Sequence, residues 1–222
     1  MIKSRIALAT ALFAVASAAH AEFTLTPALV TDYDFRGLTQ NDESETLQLG
    51  LNYSMESGVY IGAWASEVDF GPGSHATWEL DLMAGYAWGD SEAALGYDVG
   101  AIWYTYPSSS TEDDVYEIYG GITKGMFNGK VWVAPDINSE LGIYTEANAA
   151  IPLAGFTIGL HAGYSFGDAW DGNEHLDYSV GATKSLGPLD INLKYVNSND
   201  LDGPAGRNAW ILGVSTTLPW KE

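Results

Sequence analysis

The side chains best equipped for chemistry in this chain are its histidines and carboxylates. His161 falls inside a stretch that alternates residue by residue, on the same parity as Glu146 and Asp177 in neighbouring stretches, and a histidine beside a carboxylate is the minimal acid–base pair. His175 stands two residues before Asp177, a spacing that puts both on one strand face if that strand begins early. No serine completes a nucleophile arrangement with either histidine, so ester hydrolysis has little support, and a histidine held in a polar network is the reading the sequence favours for His161. The run SNDLDG at 198–203 carries Asp200, Asp202 and Gly203 at offsets of a calcium loop, but Ala209 occupies the place of the closing glutamate. That loop and GDAWDG at 167–172 read as solvated acidic loops, and no cofactor is implied.

Charge is more informative than any motif. Asp32, Asp34, Glu79, Asp81, Asp98, Glu117, Glu146, Asp177 and Asp190 share the polar parity of their segments, against Arg36, Lys194 and His161. If that parity faces a water column, these twelve residues set its selectivity for ions and small solutes. The bland alternative is a structural network in which Arg36 and Lys194 neutralise their neighbours and, with Tyr104, Tyr119 and Tyr144 also pointing inward, fill a narrow interior.

The elements that carry these residues repeat. Residues 78–107 read WELDLMAGYAW, GDSE, AALGYDVGAIWYTYP: two arms of period 2 around a short polar turn, each about ten residues long, as a tilted membrane-crossing strand requires. The same unit recurs along the chain. The connections MESG, GDSE, GMFNG, PLAG and SLGP are short, while those between them are mostly longer and polar, although DINSE at 136–140 is short. Alternating runs at 23–36 and 47–53, a run at 59–70 with apolar residues on both parities, and further runs ending with 210–218 bring the expected number of strands to about 12. Pro27 is expected near a strand start or bulge, and Pro135 is expected to end its strand. The expected fold is all-β: an antiparallel transmembrane β-barrel with short periplasmic turns and longer acidic extracellular loops.

Three features place the polar parity inside. It is rich in small residues such as Gly85, Gly96, Gly100, Gly121, Gly159, Gly163 and Gly181, which leave interior space. Aromatics on the apolar parity gather at the ends of strands: Tyr33, Trp78, Trp103, Tyr116, Tyr164, Tyr178, Tyr195 and Trp210 toward the loops, Tyr53, Tyr86 and Phe156 toward the turns. Charges well inside strands all sit on the polar parity, as lipid demands of the other.

The N-terminus frames the rest. MIKSR, an apolar run at 6–19 and Ala19-His20-Ala21 describe a secretory signal over 1–21, leaving one domain at 22–222. Loss of Lys3 and Arg5 with the signal takes the formal charge from −20 to −22, which disfavours nucleic acid and favours cations. Cysteine is absent, so no disulfide contributes. The chain ends with Lys221 and Glu222 after Trp220, a tail beyond the last strand.

The run VTDYDFRGLTQNDESETLQLGLNYSMESGVYIGAWASEVDF at 30–70, above all DYDFRGLTQ at 32–40 and SGVYIGAWASEVDF, resembles the opening of the TorF family of proteobacterial porins, and the repeated hairpins extend the likeness through the chain. The resemblance implies an outer-membrane barrel in contact with lipid. It implies no substrate and no catalytic residues. A cation-preferring porin, not an enzyme, is therefore the expected function. A barrel enzyme and a soluble secreted ligand-binding barrel are the competing classes, and oligomeric state is left open.

Overall fold

The computed structural model describes residues 21–110, 112–137, 140–199 and 208–219. The expected signal at 1–21 lies almost wholly outside them, as do Asp200, Asp202 and Gly203 of the calcium-like loop and the tail from Trp220.

The elements are β1 (Glu22–Val30), β2 (Asp34–Phe35), β3 (Leu38–Thr39), β4 (Thr46–Ser54), β5 (Val59–Glu67), β6 (Trp78–Gly89), β7 (Gly96–Thr105), β8 (Val115–Lys124), β9 (Phe127–Ile137), β10 (Glu140–Leu153), β11 (Phe156–Phe166), a 3-10 turn (Asp168–Trp170), β12 (His175–Leu186), β13 (Leu189–Asn199) and β14 (Asn208–Ser215). Twelve of these strands close an antiparallel barrel in the order β1-β14-β13-β12-β11-β10-β9-β8-β7-β6-β5-β4, and β2 and β3 pair with each other as a separate two-stranded sheet. Closure pairs each strand with a neighbour on both sides, and only the seam between β1 and β14 is short.

Closure at β1 explains Pro27. Regular rungs with β14 cover only Ala28 to Val30, after which the chain returns to β1 through Thr216 N to Pro27 O at 3.2 Å and paired bonds between Leu25 and Leu218. Proline, which has no donor, sits where that ladder is interrupted. Pro135 departs from expectation: β9 runs through it to Ile137. The ladder to β8 has already ended at Val133, and the register to β10 shifts between Glu140 and Gly142, so the missing N–H falls at an irregularity.

One rim carries tight turns. At 55–58 Gly58 adopts a φ of 91° and donates to the Met55 carbonyl at 2.9 Å. In the turn after β6, Oδ1 of Asp90 accepts from the N–H groups of Glu92 and Ala93 at 3.0 Å, so β7 begins only at Gly96, later than the alternation suggests. The other rim carries the longer connections at 31–45, 68–77, 106–114 and 167–174.

Parity is resolved all round the ring. Leu29, Leu49, Leu82, Val99, Ile118, Val131, Leu160, Val180, Leu193 and Leu212 are all exposed on the outer wall. Aromatics ring both ends of that wall: Trp78, Tyr116, Tyr164, Tyr178 and Trp210 toward the loops, Tyr53, Tyr86, Trp88, Tyr97 and Phe156 toward the turns. Trp103 stacks on Tyr116 at 5.5 Å, and Trp88 stacks between Tyr86 and Tyr97. β5, whose facing alternation leaves open, turns Val59 and Ile61 outward and buries Tyr60, Trp64 and Ser66 inside.

Tyr33 is a correction. It does not belong to the outer girdle but lies 3 % exposed inside the barrel, because β1 leaves the wall at Val30 and residues 32–41 fold into the lumen before the chain returns to the wall at Thr46. There Tyr33 and Phe35 join an interior core with Trp64, Val68, Phe70, Met83, Ile102, Tyr104, Tyr106 and Val115. The loop half of the barrel is thus packed like a soluble protein, while its outer surface is apolar.

Candidate functional site: an acid-lined cavity beneath an in-folded segment

The turn half of the barrel encloses a cavity of about 1510 Å³. Its mouth is at the turn rim, among residues such as Ser57, Glu56, Glu92, Met126 and Pro152, and its ceiling is Asp32, Tyr33, Asp34 and Arg36. Of the twelve residues expected at the lumen, Asp32, Asp34, Arg36, Asp98, Glu146, His161, Asp177, Asp190 and Lys194 line it. Glu79, Asp81 and Glu117 also point inward, but they sit buried beside the core and do not line the cavity. The reason is the segment at 31–45, which occupies the lumen between them and the water below.

Lys130 is a lumen cation that the alternation around Val131 and Val133 places inside once the pattern is carried one residue back. Its Nζ pairs with Asp98 at 2.8 Å and lies 4.5 Å above the Tyr119 ring. Asp98 also accepts from the Tyr60 hydroxyl at 2.6 Å, and Tyr60 and Tyr119 share a hydroxyl contact. The adjoining strands β10 to β12 carry the histidine network. His161 Nε2 meets Asp177 Oδ1 at 2.7 Å, and Nδ1 meets Asn148 Oδ1 at 2.7 Å. Tyr144 completes it at 3.0 Å from His161 and 3.2 Å from Asp177. Ser179 stands directly across the ladder from His161, but both ring nitrogens are engaged by Asp177 and Asn148, which leaves neither to activate a hydroxyl. The geometry is that of a polar network, not of a nucleophile and its base.

β12 does begin at His175, so His175 and Asp177 share the inner face. They serve different partners: His175 is fully buried against Trp170, and its Nε2 reaches the Arg36 carbonyl at 3.1 Å.

Arg36 is the centre of the ceiling. Its guanidinium forms a bidentate pair with Glu117 at 3.0 and 2.9 Å, Glu117 accepts from Tyr104 at 3.1 Å, and the guanidinium carbon lies 4.0 Å over the Tyr144 ring. Burial, the largest single influence, lowers its pKa, but Glu117 together with Tyr104 and Tyr144 holds the guanidinium above its ordinary value. Asp34 pairs with Lys194 at 3.4 Å; burial pushes its carboxyl above the ordinary carboxylate range, against the opposing pull of Lys194. Burial, then Glu79 and Asp81, push the Tyr33 hydroxyl well up, so it remains a neutral donor to Glu79 at 3.1 Å. No set of three or more metal-ligating side chains occurs among the described residues.

A family model described as "Bacterial protein of unknown function (Gcw_chp)" matches residues 14–211. No curated protein matches the sequence. Among solved structures, the KdgM porin superposes with a TM-score of 0.57 at 9 % identity, covering 87 % of this chain and 98 % of its own. The KdgM porin in complex with disordered oligogalacturonate superposes with a TM-score of 0.56 at 10 % identity, covering 88 % and 98 %. At such identities the likeness concerns the fold: a closed, twelve-strand, porin-like β-barrel.

Proposed function

This chain belongs to the Gcw_chp family of bacterial proteins, whose function is unknown, and we propose that it works in the outer membrane as a narrow channel that prefers small cations. The observation that carries this reading is the inversion of the fold, with an unbroken apolar outer wall around a cavity lined by Asp32, Asp34, Asp98, Glu146, Asp177 and Asp190. An apolar belt between aromatic rings is suited to lipid, and water inside a low-dielectric wall concentrates ions opposite in sign to the fixed charge. Arg36, Lys130 and Lys194 neutralise part of that charge, but acids remain in excess. In this reading residues 1–21 are the export signal, the turn rim faces the periplasm, and the TorF family remains the finer relationship. The acidic lining argues against polyanions such as the oligogalacturonate of the KdgM complex as cargo.

Reversal potential across a potassium chloride gradient, measured on the refolded protein in planar bilayers, tests this. A potential of the sign set by cations is expected, and anion selectivity would overturn the electrostatic reading. A gel shift on boiling and recovery in the outer-membrane fraction are expected alongside. A soluble periplasmic chain with no shift would remove the membrane barrel itself.

A further inference from the structure

The cavity is a dead end. It rises from the turn rim, stops at residues 32–36, and is lined by none of the loop residues at 68–77, 106–114 or 167–174. Across its upper end lie residues 31–45, of which 32–41 are turned inward, clustered with Val68, Phe70 and Tyr106 of the longer connections and fastened to the wall on opposite sides. On one side Ser198 Oγ donates to the Gly37 carbonyl at 2.8 Å, His175 reaches the Arg36 carbonyl, and Lys194 pairs with Asp34. On the other, Arg36 pairs with Glu117 on β8 and Tyr33 donates to Glu79 on β6. β6 and β12 stand six places apart in a ring of twelve, so the segment crosses the full bore.

The way it is held differs from the way a wall is held. The segment forms no ladder with a barrel strand; its own regular pairing is the two-rung contact of β2 with β3. Most of its fastenings to the wall are side-chain bonds and ion pairs, groups that water can satisfy once they part; beside them stand the backbone bonds of Thr31 to Leu212 and of Gln40 to Asp69, both at 2.9 Å, and the packing of Tyr33 and Phe35 in the interior core. At the crossing, Arg36 takes a φ of 47°, a left-handed conformation that a non-glycine residue adopts at a cost, followed by Gly37 at 77°. A Cβ on Gly37 would lie 2.7 Å from the Ser198 Cβ and 2.8 Å from the Asp177 Cβ, so the crossing is seated without slack. The bidentate Arg36–Glu117 pair is the charged fastening on the far wall.

We propose that residues 31–45 are a strap that shuts the channel at its loop end, with Arg36 on Glu117 as its latch. This rests on the channel reading above and adds that the protein at rest is closed, and that permeation requires the strap to leave the bore. The acid-lined cavity is then a vestibule loaded from the turn rim, and the strap decides whether its contents pass.

Single-channel recording on the refolded full-length protein tests this against three variants. Wild type is expected to be closed most of the time. Replacing residues 33–44 with a short Gly-Ser linker is expected to give steady conductance. Glu117→Gln keeps the strap but removes the latch's countercharge, leaving a buried guanidinium unpaired, and is expected to raise open probability at least about tenfold. Because the chain has no cysteine, Asp34→Cys with Lys194→Cys on the Glu117→Gln background provides a lock that does not depend on the linker variant folding. Bridging the two thiols with a short bifunctional reagent is expected to return open probability to the wild-type level. Wild type conducting as steadily as the linker variant, or a bridged protein that still opens, overturns the strap. An open probability unchanged by Glu117→Gln overturns the latch. A linker variant that shifts on boiling yet carries no current overturns the channel reading as well, which separates that failure from a failure of the strap alone.

Discussion

Three inward glycines mark tyrosine seats rather than empty space. A Cβ on Gly85 would lie 2.8 Å from a ring carbon of Tyr60, one on Gly100 would lie 2.6 Å from the Tyr119 ring, and one on Gly163 would lie 2.7 Å from the Tyr144 ring. The small residues that the sequence suggests leave interior room therefore leave it for aromatic rings, which lie flat across a neighbouring strand. Tyr144 is the most constrained, since its hydroxyl serves His161 and Asp177 while its face supports Arg36. Gly163→Ala should displace that ring and cost about 1–3 kcal/mol of stability, as overpacking of a filled site does. The expected outcome is a lower urea midpoint for the refolded protein in vesicles. Alanine at Gly159, where a Cβ would meet nothing within 4 Å, should leave the midpoint nearly unchanged.

At the scale of elements, the wall was legible and the strap was not, and both outcomes have the same cause. Period-2 alternation reports which residues share a face, so it identified the outward sets of β4, β6, β8, β11 and β12. It does not report whether the chain is still in the wall. Asp32, Tyr33, Asp34, Phe35 and Arg36 continue the alternation of β1 although the chain has already turned inward, where Tyr33 and Phe35 meet a core instead of joining the outer wall. A trace of that core was present in the sequence: β5 is apolar on both parities because its inner residues Tyr60 and Trp64 are buried while Val59 and Ile61 face out. Lys130 was equally within reach, since it shares the parity of Trp132 and Ala134 on β9. The outer and inner faces should respond oppositely to one substitution. Leu160→Arg places a charge on the exposed wall near the middle of β11 and should cost about 2–4 kcal/mol if the wall is in lipid. Ser179→Arg on the adjoining strand enters the acid-lined cavity and should cost far less. Urea titrations of both variants in phospholipid vesicles make the comparison, and equal penalties would place both faces in water.

For the whole molecule, the 29 acidic residues set against 9 basic ones matter through where they are placed. Glu79, Asp81 and Glu117 are buried with the strap and contribute little field to the cavity, whereas Asp98, Glu146, Asp177 and Asp190 border it. Lys130 screens Asp98 directly. Selectivity should therefore follow the cavity set, not the full set of inward acids. In the strap-replaced variant, Glu146→Gln with Asp190→Asn should reduce cation preference, and Lys130→Gln should increase it by freeing Asp98. Both effects should be largest below about 0.1 M salt, where the Debye length of roughly 10 Å spans a narrow bore, and should shrink toward 1 M, where it is about 3 Å. Reversal potentials at a fixed concentration ratio and rising mean salt provide the measurement. A cation preference that persists unchanged at 1 M would mean that size or direct coordination, rather than the fixed charge of the cavity, selects the ion.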